Sequence, residues 1–316
     1  MTTYKTIVRN LFEILISPFI LCSSFLLLKI RQRGVNNFKL TKRILFKIGV
    51  FPIIDHYYEP MFKTGELKKS LKSDRILPGI DFNVEEQISI LNEFNYNDEL
   101  LMLENNSSFK FDNTSFKSGD AEYYYSIIRK FKPRKIIEIG SGNSTLIALE
   151  AIKKNKYEDV NYECTMKCIE PYEMDWLELL EVEVIRNQVE EIDIEVFKEL
   201  KDNDILFIDS SHIIRPQGDV LYEYLEILPV LNSNVLIHIH DIFTPKDYLE
   251  EWVIEKNYFW NEQYLLEAFL SFNNNFKIIG ALNYLSHHYP DLFRKISPIF
   301  SRELQREPGS FWIKKN

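Results

Sequence analysis

The sequence predicts an α/β protein built on a doubly wound, mostly parallel seven-stranded sheet, and three observations carry that expectation. From Asp120 onward, short β-branched runs alternate with stretches of helical apolar spacing, which is the pattern of parallel strands covered on both faces. One run, Asp204-Ile-Leu-Phe-Ile-Asp209, is apolar throughout its interior, as a strand buried on both faces requires. Another, Lys135-Ile-Ile-Glu-Ile139, leads through Gly140-Ser-Gly142 into a helical stretch from Asn143. A strand, a glycine turn and a helix N-terminus in that order bring backbone N–H groups close to a nucleotide.

Near the N-terminus, residues 11–28 are almost wholly apolar, and at ~1.5 Å per residue they give roughly 27 Å, close to the thickness of a bilayer core. Glu13 and Pro18 argue against a straight spanning helix, while Lys29, Arg31 and Arg33 place the remainder of the chain on the cytoplasmic side. No small-residue cleavage site comes after the run. A signal-anchor helix, a helix lying in the interface and a buried helix of the body all remain open. Residues 1–48 are therefore read as a hydrophobic and basic membrane-associating segment, expected at the inner face of a membrane. Residues 49–118 are read as an N-terminal helical cap, with a helix over Val84–Phe94 and a loop from Asn105 to Gly119. His56, Tyr57 and Tyr58 are candidates to face a substrate there, with core packing the plainer role.

Residues 119–316 form the nucleotide-binding domain. Helices are expected over Asp120–Phe131, 143–155, Asp219–Leu231 and 262–272. Strands are expected at 135–139, 165–170, Glu181–Ile185, 204–209, 234–240, 276–282 and 310–314, the last two as a hairpin-like closing pair.

Charge narrows the partners. Residues 1–50 hold nine Lys or Arg against Glu13 alone, a balance of +8 that leaves −17 for the rest of a chain of formal charge −9. An acidic body excludes nucleic acid as the main partner, and a basic leader points to an anionic membrane surface. Cys22, Cys164 and Cys168 lack the paired spacing of a zinc site and read as packing residues in a reducing compartment.

The second strand ends Lys167-Cys-Ile-Glu170-Pro171, thirty residues after Gly140. A carboxylate at that tip can take both hydroxyls of a ribose. Glu-Ile-Gly-Ser-Gly followed by Ile-Glu-Pro resembles the class I S-adenosylmethionine-dependent methyltransferases. The resemblance implies a Rossmann-like fold and S-adenosylmethionine as cofactor. It also implies that Glu138, Gly140, Ser141 and Gly142 line the methionine end and that Glu170 binds the ribose. Seven strands with a closing pair match that sheet better than a six-stranded dehydrogenase sheet. A nicotinamide-dependent oxidoreductase or epimerase, the alternative enzyme, asks for a third glycine where Thr145 stands and for an acid about twenty residues on.

Two strand tips carry unusual residues. Strand four finishes in Asp209-Ser-Ser-His212 and strand five in His238-Ile-His240-Asp241. Adjacent strands lie ~4.8 Å apart, so Asp209, His212, His240 and Asp241 can meet in one small volume. Methyl transfer to oxygen needs a base for the hydroxyl proton or a cation that lowers its pKa. Asp209, His240 and Asp241 offer two carboxylates and an imidazole for Mg²⁺ or another divalent metal. His212 and Asp209 are the candidate catalytic residues, and Asp209 also borders the cofactor site.

This arrangement is similar to the metal-dependent O-methyltransferases of macrolide sugars, in which Asp209, Asp241 and His212 fall on matching positions. His240 departs from that pattern, which has an acid there. The function expected is O-methylation of a small-molecule, glycan or lipid-linked sugar hydroxyl; a membrane-bound scaffold is the non-enzymatic alternative. The long link from Asp241 to Glu262 reads as a lid, with Asp247, Tyr248, Trp252 and Trp260 as acceptor contacts or packing groups. His238 reads as a satisfied core histidine, His287 and His288 as exposed loop residues, and Ser144 and Thr145 as part of a helix start.

Overall fold

The computed structural model describes residues 2–303 and 305–316, in two compact units divided between Lys69 and Ser70. The first unit is dominated by α1 (Thr2–Gln32), which runs without a break through Glu13 and Pro18. Proline at position 18 leaves the carbonyl of Ile14 without its helical N–H donor. The Ser17 hydroxyl replaces it, donating to the Ile14 carbonyl at 2.9 Å. This local substitution explains why the expected interruption is absent. Tyr4–Gln32 has a mean hydropathy of 2.2 over its most apolar window, none of which is buried. Its 29 residues give about 44 Å of helix, more than a bilayer core needs.

Cys22 is exposed on α1 and is not the packing residue expected. The helix α2 (Lys39–Ile48) buries no residue, and it stops at Gly49, whose φ of 80° is the left-handed C-terminal turn glycine favours. Leu40, Ile44 and Ile48 recur every four residues on one stripe, beside Lys39, Arg43 and Lys47. Tyr57 and Tyr58 are exposed and do not pack in a core.

The second unit opens with α3 (Val84–Glu93) and α4 (Asn97–Asn106). The latter takes in Asn105 and Asn106 at the start of the expected polar loop, and its apolar run Leu100-Leu-Met-Leu103 anchors it through the fully buried Leu100. Then come α5 (Asp120–Phe131), β1 (Lys135–Ile139), α6 (Asn143–Glu158), β2 (Thr165–Ile169) and β3 (Glu183–Ile185). The chain continues through α7 (Glu195–Lys198), β4 (Ile205–Ile208), and α8 (Asp219–Tyr222) and α9 (Leu228–Val230) joined by a π-helical turn. It ends with β5 (Leu236–Ile239), α10 (Glu262–Leu270), β6 (Phe276–Ala281), α11 (Leu282–His288), α12 (Pro290–Ile296) and β7 (Phe311–Lys315).

The sheet order is β3-β2-β1-β4-β5-β7-β6, with β7 antiparallel to both neighbours and β1 to β5 parallel. β6 therefore runs in the same direction as β5. The closing strands pair as expected, but α11 and α12 lie between them in place of a short turn. Alternation along each strand explains the apolar runs. Ile136, Met166, Phe207 and Leu236 pack on one face with α5 and α6, while Ile137, Ile169, Leu206 and Ile237 pack on the other with the 220–231 helices and α10. The reversal of strand order between β1 and β4 opens a crevice at the carboxyl edge of the sheet.

Candidate active site

The glycine loop fills its role through one residue. Gly140 has φ +75°, and a Cβ there would stand 1.9 Å from the Asp209 carbonyl oxygen. Glycine is required by both backbone conformation and the closeness of the β4 tip. Gly142 is different: its φ of 178° is extended, and a Cβ would make ordinary contact with Met174 at 3.7 Å. Nothing in the fold demands glycine at that position.

The loop borders a cleft of about 390 Å³, lined among others by Gly140, Glu170, Tyr172, Gln188, Asp209 and Arg215. That volume lies in the range of small-molecule sites. Glu170 is held by its own turn, with Oε1 accepting the backbone N–H groups of Tyr172 and Glu173 at 3.0 Å each. Glu138 is fully buried beneath the loop, where the Thr145 hydroxyl donates to Oε2 and Oε1 has no hydrogen-bond partner among the described residues. The Gly142 N–H donates to Thr145 Oγ1 at 3.1 Å, and Ser141 is buried beside them.

Asp209 belongs to the cleft and also to a cluster at the β4 and β5 tips. His240 Nδ1 lies 3.4 Å from Asp209 Oδ1 and 3.6 Å from Asp241 Oδ1. His212 Nε2 lies 3.5 Å from both Asp209 Oδ1 and Asp241 Oδ2. The four residues named from the strand tips are thus brought together. His212 and Asp241 have φ of 60° and 57°, a strained conformation for such residues that recurs at functional sites.

A carboxylate not singled out in the sequence completes the arrangement. His212 Nδ1 lies 2.9 Å from Glu262 Oε2, and Tyr224 Oη donates to Glu262 Oε1 at 3.1 Å. An ionised carboxylate can only accept, so Nδ1 carries a proton toward Glu262, while Nε2 faces Asp209 and Asp241. The backbone carbonyl of His212 accepts from Asn261 and Glu262, and the Trp260 ring lies 4.4 Å from the imidazole.

A family profile described as a methyltransferase domain matches residues 137–242, from the glycine loop to the tip of β5. An uncharacterized protein of Archaeoglobus fulgidus is 30% identical over 172 residues, covering 47% of this chain and 73% of that protein. The chain belongs to the class I S-adenosylmethionine-dependent methyltransferases.

Among solved structures, the chain is similar to an O-methyltransferase from Bacillus cereus in complex with SAH, at 12% identity and a TM-score of 0.38, over 72% of this chain and 91% of that one. It is also similar to the MycE methyltransferase of the mycinamycin biosynthetic pathway, at 12% identity and a TM-score of 0.34. That likeness covers 61% of this chain and about half, 48%, of the other.

The electrostatics of this methyltransferase are set by burial against pairing. Burial opposes charge on His212 and His240, yet the surrounding carboxylates hold both pKa values well above the ordinary histidine range. Burial also opposes charge on Asp209, which the two histidines nevertheless hold well below its usual value. Burial pushes Asp241 up. Glu138 is raised to about 7 by burial, against the hydroxyls of Thr145, Ser144 and Ser141.

Behind His240 stands Asp120, 4.0 Å from Nε2 and fixed by Arg306 and by the N–H groups of Gly309 and Ser310. Its place at the start of α5 gave no signal of that role. His238 is buried, stacks on Phe207 at 3.9 Å and meets Ser310 Oγ at 2.8 Å. The link after Asp241 folds into an apolar cluster of Phe243, Tyr248 and Val253, with Trp252 and Trp260 against it. Asp247 turns to Arg75 at 3.3 Å. His287 and His288 lie in α11, not in a loop, and each pairs with an acid at 2.7 Å, Glu307 and Asp74 respectively.

Proposed function

We propose that this methyltransferase transfers a methyl group to a hydroxyl of a small molecule or glycan, with His212 as the base. The observation that carries the reading is that Asp209 lines the cleft and also touches His212 and His240. The donor occupies that cleft, with its ribose on Glu170 and its methionine end against Gly140, Ser141 and Gly142 above the buried Glu138. The turn that fixes Glu170 Oε1 preorganises the carboxylate for a vicinal diol. Its methyl then faces the β4 and β5 tips. The acceptor oxygen bonds to the methyl carbon as the carbon–sulfur bond breaks, the sulfur leaves as a neutral thioether, and the hydroxyl proton passes to Nε2 of His212 in its neutral form, which the surrounding carboxylates disfavour until their charge is offset. Glu262 is a positioning residue that fixes the tautomer and plane of His212.

The cluster fits a divalent cation. One donor atom each from Asp209, His240 and Asp241 lies within 4.8 Å of the other two. Ligand atoms ~2.1 Å from one ion stand roughly 3.0–4.2 Å apart, the spacing of His240 Nδ1 from the two carboxylates. A cation held there would polarise the acceptor hydroxyl and neutralise the carboxylates that retain the His212 proton. An imidazole among the ligands favours a softer ion than Mg²⁺.

Two measurements test the reading. Calorimetry with S-adenosylmethionine should show saturable binding that Glu170→Ala weakens at least tenfold; equal affinity in the variant refutes the cleft assignment. Exhaustive chelation should abolish turnover and lower the melting temperature, with recovery on adding a divalent ion. Unchanged turnover and melting after chelation remove the metal from the account.

The first unit serves as a membrane anchor on an anionic, cytoplasmic surface. The exposed apolar length of α1 and the basic face of α2 support this.

A further inference from the structure

The two ring nitrogens of His240 face different surroundings. Nδ1 lies 3.4 Å from Asp209 Oδ1 and 3.6 Å from Asp241 Oδ1, on the side of the strand-tip cluster. Nε2 points the other way, into the body of the domain, and has no hydrogen-bond partner among the described residues. The Asp120 carboxylate faces it at 4.0 Å. The Phe116 ring closes on the imidazole from a third side, with centroids 5.3 Å apart.

Asp120 is fully buried, and both of its oxygens are engaged. Oδ1 accepts the N–H groups of Gly309 and Ser310 at 2.9 and 2.7 Å, while Oδ2 takes the Arg306 guanidinium and faces His240. All of these groups donate, so the carboxylate is ionised and acts as an acceptor only. An acid in a first turn ordinarily answers the helix dipole from the surface. This one turns inward instead, and joins the start of α5 to the loop ahead of β7 and to the tip of β5. The same loop packs on Asp241, since a Cβ at Gly309 would stand 3.2 Å from Asp241 Oδ1.

An acceptor fixed behind an imidazole keeps the proton on the nearer nitrogen and leaves the lone pair of the other for a ligand. At His240 that lone pair would look at two carboxylates. Three acceptors converging on one point repel each other unless a cation lies among them. We infer that Asp120 is the positioning residue of the cation site: it holds the His240 proton on Nε2, so that Nδ1 is presented as a ligand beside Asp209 and Asp241. The inference rests on the cation reading above and names the residue that makes the imidazole a ligand. It also gives a reason for nitrogen at this position. A carboxylate there would have no proton to offer Asp120 and would stand against its buried charge.

The test measures binding of Mn²⁺ and Co²⁺ to the full-length protein by calorimetry, with S-adenosylmethionine binding as the check that each variant is folded. Asp120→Asn should weaken both ions at least tenfold. Asp120→Asn combined with Arg306→Gln removes the buried pair together and leaves the net charge unchanged, so it should show the same loss without stranding a buried guanidinium. In a His240→Asp background no imidazole needs orienting, and there Asp120→Asn should change Mn²⁺ affinity by less than about threefold. Equal losses in the two backgrounds would show that Asp120 acts only through the fold or through its charge, and would overturn the assignment. Undiminished ion affinity in both Asp120 variants would overturn it as well. Wild type that binds the methyl donor but neither ion would refute the cation reading itself, and this assignment with it.

Discussion

Replacing Gly140 with alanine probes how tightly the glycine loop is bound to the β4 tip. The φ of +75° costs an L-residue about 1–2 kcal/mol in itself. The added Cβ would also stand 1.9 Å from the Asp209 carbonyl oxygen, so that oxygen must retreat by about 1.5 Å to reach the 3.4 Å at which ordinary contact begins. Two backbone hydrogen bonds resist the retreat: Gly140 N–H to Ile169 O at 3.0 Å, and Asp209 N–H to Ile139 O at 2.9 Å. Overpacking of this kind costs about 1–3 kcal/mol more, giving a loss of about 2–5 kcal/mol in all. Asp209 would be displaced with its carbonyl, so donor affinity should fall at least tenfold in the molecules that still fold.

Gly142→Ala is the control, since its extended backbone and 3.7 Å clearance predict a stability change below about 1 kcal/mol. Urea unfolding gives the stabilities, and calorimetry with the donor gives the affinities. If Gly140→Ala unfolds within about 0.5 kcal/mol of wild type, or if Gly142→Ala proves the more damaging, the steric argument is wrong.

Three further outcomes are expected. Glu262→Gln keeps the shape of the His212 partner but removes its charge, a difference of about 1–1.5 kcal/mol in hydrogen-bond strength. It should lower kcat roughly tenfold with both KM values unchanged and with partial recovery in Glu262→Asp. An unchanged kcat beside an inactive His212→Ala would show that His212 needs no positioning. Stability should fall between pH ~4.5 and 7, because burial raises both Glu122 and Glu138 to about 7 in the folded state. Below pH ~4.5 both states hold the protons; above it only the unfolded chain releases them; beyond 7 the difference is constant, at about 3 kcal/mol for each group. Glu138→Gln should remove its half of that slope in unfolding measured at pH 5 and 7.5, and an unaltered slope would exclude it as a source. Reversing Lys39, Lys42, Arg43 and Lys47 to glutamate should weaken binding of the protein to phosphatidylserine vesicles while leaving neutral vesicles unaffected. Equal partitioning to both before and after the change would refute an electrostatic role for α2.

What could be seen in the sequence divides along physical lines. The strands were legible because alternate residues of β1, β4 and β5 are buried on opposite faces, which leaves short, largely apolar runs, unbroken in β4 and interrupted only by Glu138 in β1 and His238 in β5. The meeting of Asp209, His212, His240 and Asp241 was legible for a related reason. Neighbouring parallel strands end at one edge, so residues just past two such runs are neighbours whatever the intervening chain does. Glu262 and Asp120 were not legible, since they reach the cluster from helices 50 and 120 residues away from the histidines they face. An acid in the first turn of a helix normally answers the helix dipole, and only packing shows that these two turn inward.

The two glycines of the loop look equivalent as letters and separate on the same physical grounds. Gly140 is fixed by a tertiary neighbour, the Asp209 carbonyl, whereas Gly142 has room for a side chain. If the smaller residue at position 142 is required at all, the requirement comes from the ligand and not from the fold. Gly142→Ala should then fold normally and lose donor affinity, which makes it the cleaner probe of where the methyl donor sits.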